Sequence, residues 1–159
     1  MRLVTEKQLR EATEDVADEI YLFHAACVEL RKQRPSRLAW QCWYVLARNL
    51  MDFFDTTPRR RDGDELLAAD YFQRPEDWHT RRNELARPAD YERYKVAAHK
   101  IAAHLTYGRQ RYRQKGSAAY PPSPEVSNHL AELSRLFLAS LDQDPQDWFR
   151  ATEFWLPWR

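Results

Sequence analysis

Arg48, Asn49 and Asp52 interrupt residues 38–54, LAWQCWYVLARNLMDFF, where 13 of 17 residues are apolar or aromatic. With Gln41 they are the four exceptions, and at about 3.6 residues per turn they fall in one sector of a helix. Further on, Arg93, Lys100, His104, Tyr107 and Arg111 advance by seven, four, three and four residues and share one stripe of another helix, beside its apolar seam. If the two helices are neighbours, these groups meet in a groove. The chemistry would be general acid–base catalysis with electrostatic support. His104 accepts a proton, Asp52 orients it, and Arg48 or Lys100 stabilises developing negative charge. The catalytic candidates are therefore Arg48, Asn49, Asp52 and His104, and the substrate-binding candidates are Lys100, Tyr107 and Arg111. The competing reading is an ordinary i,i+4 ion pair between Arg48 and Asp52, with His104 a satisfied histidine at the edge of the core.

The elements that must carry these groups are helical. A chain of 159 residues is one domain with one core by the usual size scaling. Glycine is scarce, with 3 in all, no alternating Val/Ile/Thr run of strand length occurs, and Ala, Leu, Glu, Arg and Gln dominate the periodic stretches. The class is all-α. Thr5 and Gln8 have the spacing of a capping box, and Ala12, Val16, Ile20, Phe23, Cys27 and Leu30 then give one apolar face to about residue 32. Pro35 and Ser36 mark a short turn into the apolar run, which ends near Asp55. A turn that short predicts an antiparallel hairpin.

Residues 56–88 read as an irregular excursion broken by Pro58, Gly63, Pro75 and Pro88, with only DELLAADYF (64–72) resembling a short helix. A third long helix is expected from about Ala89, with Tyr91, Tyr94, Ala98, Ile101, Leu105, Gly108 and Tyr112 as its seam. After a stiff GSAAYPPSP loop, Ser123 and Pro124 supply an N-cap and first-turn proline for a fourth helix with Val126, Leu130, Leu133, Phe137 and Leu141 buried. The expected architecture is a four-helix bundle of two antiparallel hairpins over residues 1–145. An aromatic tail, residues 146–159, carries Trp148, Phe149, Phe154, Trp155 and Trp158 and packs on the bundle or hooks a partner.

Several chemistries are disfavoured by what the chain lacks. Cys27 and Cys42 have no disulfide or metal spacing and read as reduced thiols. His99 and His104 are five apart, unlike a two-histidine helical metal site, so neither a metal nor another cofactor is expected. There is no phosphate-cradling glycine loop or nucleophile elbow. No segment reaches the roughly 18 uncharged residues of a membrane span and no leader is evident; the expected location is the cytoplasm. The net charge of +1 conceals seven Lys or Arg and no acids between residues 93 and 123. That block is a basic face for a polyanion or cations gathered at a helix C-terminus. Arg59, Arg60, Arg61, Arg81 and Arg82 form a solvated loop edge or extend that surface.

The segments ARNLMDFF, LLAADYF and HKIAAHLTY, within residues 38–112, resemble a group of bacterial helical proteins that are in turn similar to the HEPN superfamily of small bundles in toxin–antitoxin, abortive-infection and other defence systems. The resemblance implies a homodimer and a metal-independent ribonuclease whose site forms across the dimer. The superfamily signature is an Arg, four to six residues, then His, usually with a polar residue directly after the Arg. Here Arg48-Asn49 opens that pattern, but Phe53, Phe54 and Asp55 stand where the His belongs. Arg74 with His79 and Arg93 with His99 fit the spacing, with Pro75 and Tyr94 in place of the polar follower. The resemblance thus implies a rearranged site of Arg48, Asn49 and His104, or an inactive relative. In-line cleavage by an RNA 2′-hydroxyl needs only a proton acceptor and positive charge beside the phosphate. The functional expectation is a protein acting on or binding RNA, with a metal-independent endoribonuclease as its enzymatic form. A non-catalytic interaction or dimerisation module is the alternative, and a small-molecule sensor with a pocket between hairpins a remoter one.

Overall fold

A computed structural model describes residues 4–57, 65–102 and 121–153. Among these residues all regular structure is helical: α1 (Glu6–Leu30), α2 (Arg37–Asp55), a 3₁₀ turn (Ala68–Tyr71), α3 (Pro75–Arg82), α4 (Tyr91–Ala102), α5 (Pro124–Ser140) and α6 (Gln143–Arg150). The starts follow local chemistry. Thr5 caps α1 and Gln8 reaches back to its backbone N–H; Ser36 caps α2; Ser123 caps α5, with Pro124 in the first turn.

Two elements differ from the sequence reading. The described part of the stretch 64–72, residues 65–72, forms no α-helix; its regular part is the 3₁₀ turn, where the Asp70 carboxylate accepts from the Leu67 N–H. Local side-chain to backbone bonding of this kind competes with helix propagation. Within the supposed irregular excursion lies α3, which begins on Pro75 with Glu76 and Asp77 in its first turn and Arg81 and Arg82 in its last. That N-terminal proline and the charge order are helix signals in themselves.

The core is aromatic. Phe23, Trp43, Phe54, Trp78, Tyr91, Phe137 and Phe149 are each at most 1 % exposed. Phe23 packs on Trp43, and Trp43 meets Tyr94 edge to face, so α1, α2 and α4 share one seam. Phe149 of α6 touches Tyr71 and Phe137. α6 therefore crosses the expected 145/146 division and inserts its ring into the core, while Phe154, Trp155 and Trp158 lie outside the described residues. So do the loop 116–120 and Arg59, Arg60 and Arg61.

The exposed side of α2 is wider than four polar residues imply. Leu38 is 67 % and Val45 42 % exposed. They continue the line through Gln41, Arg48 and Asp52 at steps of three and four, and the helix shows solvent a mixed face.

Burial also sets the acid sensitivity. Desolvation, then the charges of Arg135 and Arg31, lower His24 from 6.5 to about 4, and burial lowers His79 and His129 as well. An unfolded histidine binds its proton at a higher pH than these do, so stability is fully present above about pH 6.5 and is lost as the pH falls toward 4. His24, whose shift is the largest of the three, contributes most to that loss. Thermal melts stepped from pH 7 to 4 should show it, and His24→Gln should flatten the dependence; an unchanged slope in the variant would contradict the assignment.

Candidate functional site

The groove between α2 and α4 holds the most elaborate polar cluster among the described residues. On α2, Arg48, Asp52 and Asp55 follow one another at four and three residues; on α4, Tyr91, Lys95 and His99 follow at four and four. Each row is one helical line, and the two lines face each other. Arg48 Nε donates to His99 Nδ1 at 3.2 Å. Nδ1 must then carry the lone pair, so Nε2 bears the proton and donates to Asp52 Oδ1 at 3.2 Å. Lys95 Nζ lies 3.7 Å from Asp52 and 3.4 Å from Asp55, linking the imidazole end of the groove to its buried end.

Asp55 anchors that buried end. Its side chain is 6 % exposed and faces Arg82 at 3.6 Å, Arg87 at 2.9 Å and the donating hydroxyl of Tyr91 at 3.0 Å. An acid at a helix C-terminus opposes the macrodipole, and these cations offset it. The adjacent Phe54 carbonyl, one of the acceptors a helix end leaves unpaired, receives Trp78 Nε1 and Arg82 Nη1, each at 2.9 Å. The missed helix α3 therefore closes α2. Burial, foremost, together with the nearby Asp55 carboxylate, raises the Tyr91 phenol above its ordinary value, which keeps it a hydrogen-bond donor.

The other sequence candidates are distributed differently. Asn49 donates to Glu19 Oε1 of α1 at 2.8 Å rather than joining the cluster. Burial raises the Glu19 carboxyl above its ordinary value, with that bond working against it. Lys100 is exposed on α4. His104, Tyr107 and Arg111 lie outside the described residues, as does everything that the expected third helix included beyond Ala102. The groups that α4 turns toward Arg48 and Asp52 are Lys95 and His99, each five positions before Lys100 and His104. Sequence reasoning weighed His99 only against Arg93 and His104 and did not pair it or Lys95 with α2, although two cationic or titratable groups four apart complement acids three apart on the partner helix.

Chemically, a neutral imidazole held by a carboxylate at one nitrogen presents a basic lone pair at the other. Here Arg48 covers that lone pair. Arg48, Lys95, Arg82 and Arg87 outnumber Asp52, Asp55 and the exposed Glu92 partner of Arg87, leaving these groups with one excess positive charge. Among the described residues no group of three His, Cys, Asp or Glu side chains is placed to hold a metal ion, and no helix is long and apolar enough to cross a membrane. No family model, curated protein or solved structure matches the chain.

Proposed function

We propose that the α2–α4 groove binds or acts on RNA in the manner the HEPN resemblance implies. The carrying observation is the Asp52–His99–Arg48 chain of hydrogen bonds in a half-exposed groove. Arg48 spends its shortest described polar contact on a neutral imidazole, with Asp52 farther off at 3.8 Å. A phosphate is the stronger acceptor for a guanidinium. Drawing Arg48 to a phosphate uncovers His99 Nδ1 in the same movement. The lone pair can then take the 2′-hydroxyl proton as the O2′–P bond forms and the P–O5′ bond breaks, with the departing 5′-oxygen taking its proton from water; Asp52 stabilises the imidazolium, and Arg48 with Lys95 meets the charge developing on phosphorus-bound oxygens. His99 occupies the role the sequence assigned to His104. The wider reading has a cytoplasmic, metal-independent ribonuclease or RNA binder of a defence or toxin–antitoxin system, working as a homodimer. The two-hairpin four-helix bundle belongs to it, supported by the Phe23–Trp43 and Glu19–Asn49 contacts between α1 and α2.

Binding of single-stranded RNA, read by fluorescence anisotropy at low and moderate salt, tests this directly. Arg48→Ala with Lys95→Ala should weaken binding about tenfold or more and reduce its salt dependence. If the wild-type protein cleaves RNA, His99→Ala should abolish cleavage and leave binding and the melt intact. Cleavage that persists in His99→Ala but disappears in His104→Ala returns the base to His104. No binding at any salt removes the RNA reading.

A non-catalytic interaction module is the second reading. It is favoured by the commitment of both His99 nitrogens and by the exposed apolar residues Leu22, Val28, Leu38 and Val45. Deleting residues 154–159 spares Phe149, so lost partner binding with an unchanged melt would identify the tail as a hook.

A further inference from the structure

On the other side of α1 from the Glu19–Asn49 bond, a cavity of about 260 Å³ opens between α1 and α5. Its floor and its rim differ in kind. The floor is neutral and fixed: Ser127 Oγ accepts from the buried indole of Trp43 at 2.9 Å and donates to the Ser123 carbonyl at 2.7 Å. Cys27 sits beside it as a thiol that burial pushes above its ordinary value. The rim is charged, with Arg31 at the C-cap of α1 and Arg135 from α5 both in the lining, together with Glu132 and Asn128 of α5. His24 lines the same cavity, one turn before Val28.

We propose that this cavity is a binding site for a small oxyanion, a phosphate- or carboxylate-bearing molecule held between Arg31 and Arg135. Each guanidinium presents a planar fork of donors that suits planar or tetrahedral oxyanions, and both line this one cavity. The volume lies just under the range of drug-sized pockets, which restricts the ligand to a small one. Glu132 on the α5 wall offers an acceptor to a ligand hydroxyl or amine. The electrostatics agree. After burial, which acts first, Arg135 and Arg31 both disfavour the protonated His24 ring, so positive charge from the two arginines reaches into the cavity. A bound anion counters that charge, and His24 takes up a proton more readily in the complex. Arg31, Arg135 and Glu132 are the charged groups that line the cavity with it.

The site is independent of the α2–α4 groove, and the test separates them. Inorganic phosphate and acetate are titrated into ¹⁵N-labelled full chain at constant ionic strength. The His24 ring and Trp43 indole N–H resonances are followed, with His24→Gln assigning the former. Saturating shifts with phosphate alone identify a phosphate ligand, and with acetate alone a carboxylate ligand. Arg31→Gln with Arg135→Gln should weaken either about tenfold or more, Arg48→Ala should leave it unchanged, and the bound state should raise the pH at which His24 titrates. Shifts that grow linearly without saturation, or that survive the double arginine substitution, overturn the proposal.

Discussion

Asp55→Ala should lower the free energy of unfolding by about 3–5 kcal/mol, the cost of removing one member of a buried ion pair. The carboxylate is 6 % exposed and neutralises Arg82, Arg87 and Lys95 while accepting from Tyr91. Without it, Arg82, 11 % exposed, keeps its charge in a nearly dry site, where burial already lowers its proton affinity. Asp55→Asn should cost less, because the amide oxygen can still accept from Tyr91. Urea unfolding at neutral pH measures both. A loss below about 1 kcal/mol for Asp55→Ala would mean that the network behaves as separate solvated pairs, which contribute little. Asp55→Ala also removes one negative charge from beside Arg82, Arg87 and Lys95, so in the RNA reading any affinity that survives should depend more steeply on salt.

Phe137→Ala should cost a similar amount, about 3–5 kcal/mol, for a different reason. Its ring, 0 % exposed, meets Phe53, Phe54, Tyr71, Phe72, Trp78 and Phe149 with centroids 5.3–6.1 Å apart. These rings come from α2, the 3₁₀ turn, α3 and α6, so the cavity left by alanine cannot be filled by moving one neighbour. Phe137→Leu, which keeps most of the volume, should cost clearly less, and Val45→Ala on the exposed side of α2 should stay within about 0.5 kcal/mol. Equal losses for Phe137→Ala and Val45→Ala would show that the aromatic cluster is not the stabilising core. Because Phe137 holds α3 against α2, its loss should also loosen Arg82 from the Phe54 carbonyl and weaken the buried end of the groove.

Local sequence determined most of the elements. Thr5 with Gln8, Ser36, and Ser123 with Pro124 place three helix starts by hydrogen bonding within four residues. The spacing of Val126, Leu130, Leu133, Phe137 and Leu141 selected the buried face of α5, all of which is buried. The same kind of signal was present for α3 in Pro75, Glu76 and Asp77, but the helix has one buried residue, Trp78, and so no apolar period to reveal it. In the stretch 64–72 apolar spacing suggested an α-helix where Asp70 ties the chain into a tighter turn.

The candidate site is where periodicity stops being informative. Sequence placed Arg48 and Asp52 on one line of α2 and left several polar lines available on α4. Choosing among those requires the rotation of one helix against the other, which distant packing sets: Trp43 against Tyr94, and Tyr91 against His129 of α5. That rotation brings Lys95 and His99 to Arg48 and Asp52, and Tyr91 to Asp55. It likewise takes tertiary structure to give Asn49 a partner on α1 and to bring Arg31 and Arg135 to one cavity from helices about a hundred residues apart in sequence. Helix type, starts and buried faces follow from contacts within a few residues of the chain. Which polar groups meet depends on helix rotation and register, set by side-chain packing between segments far apart in sequence.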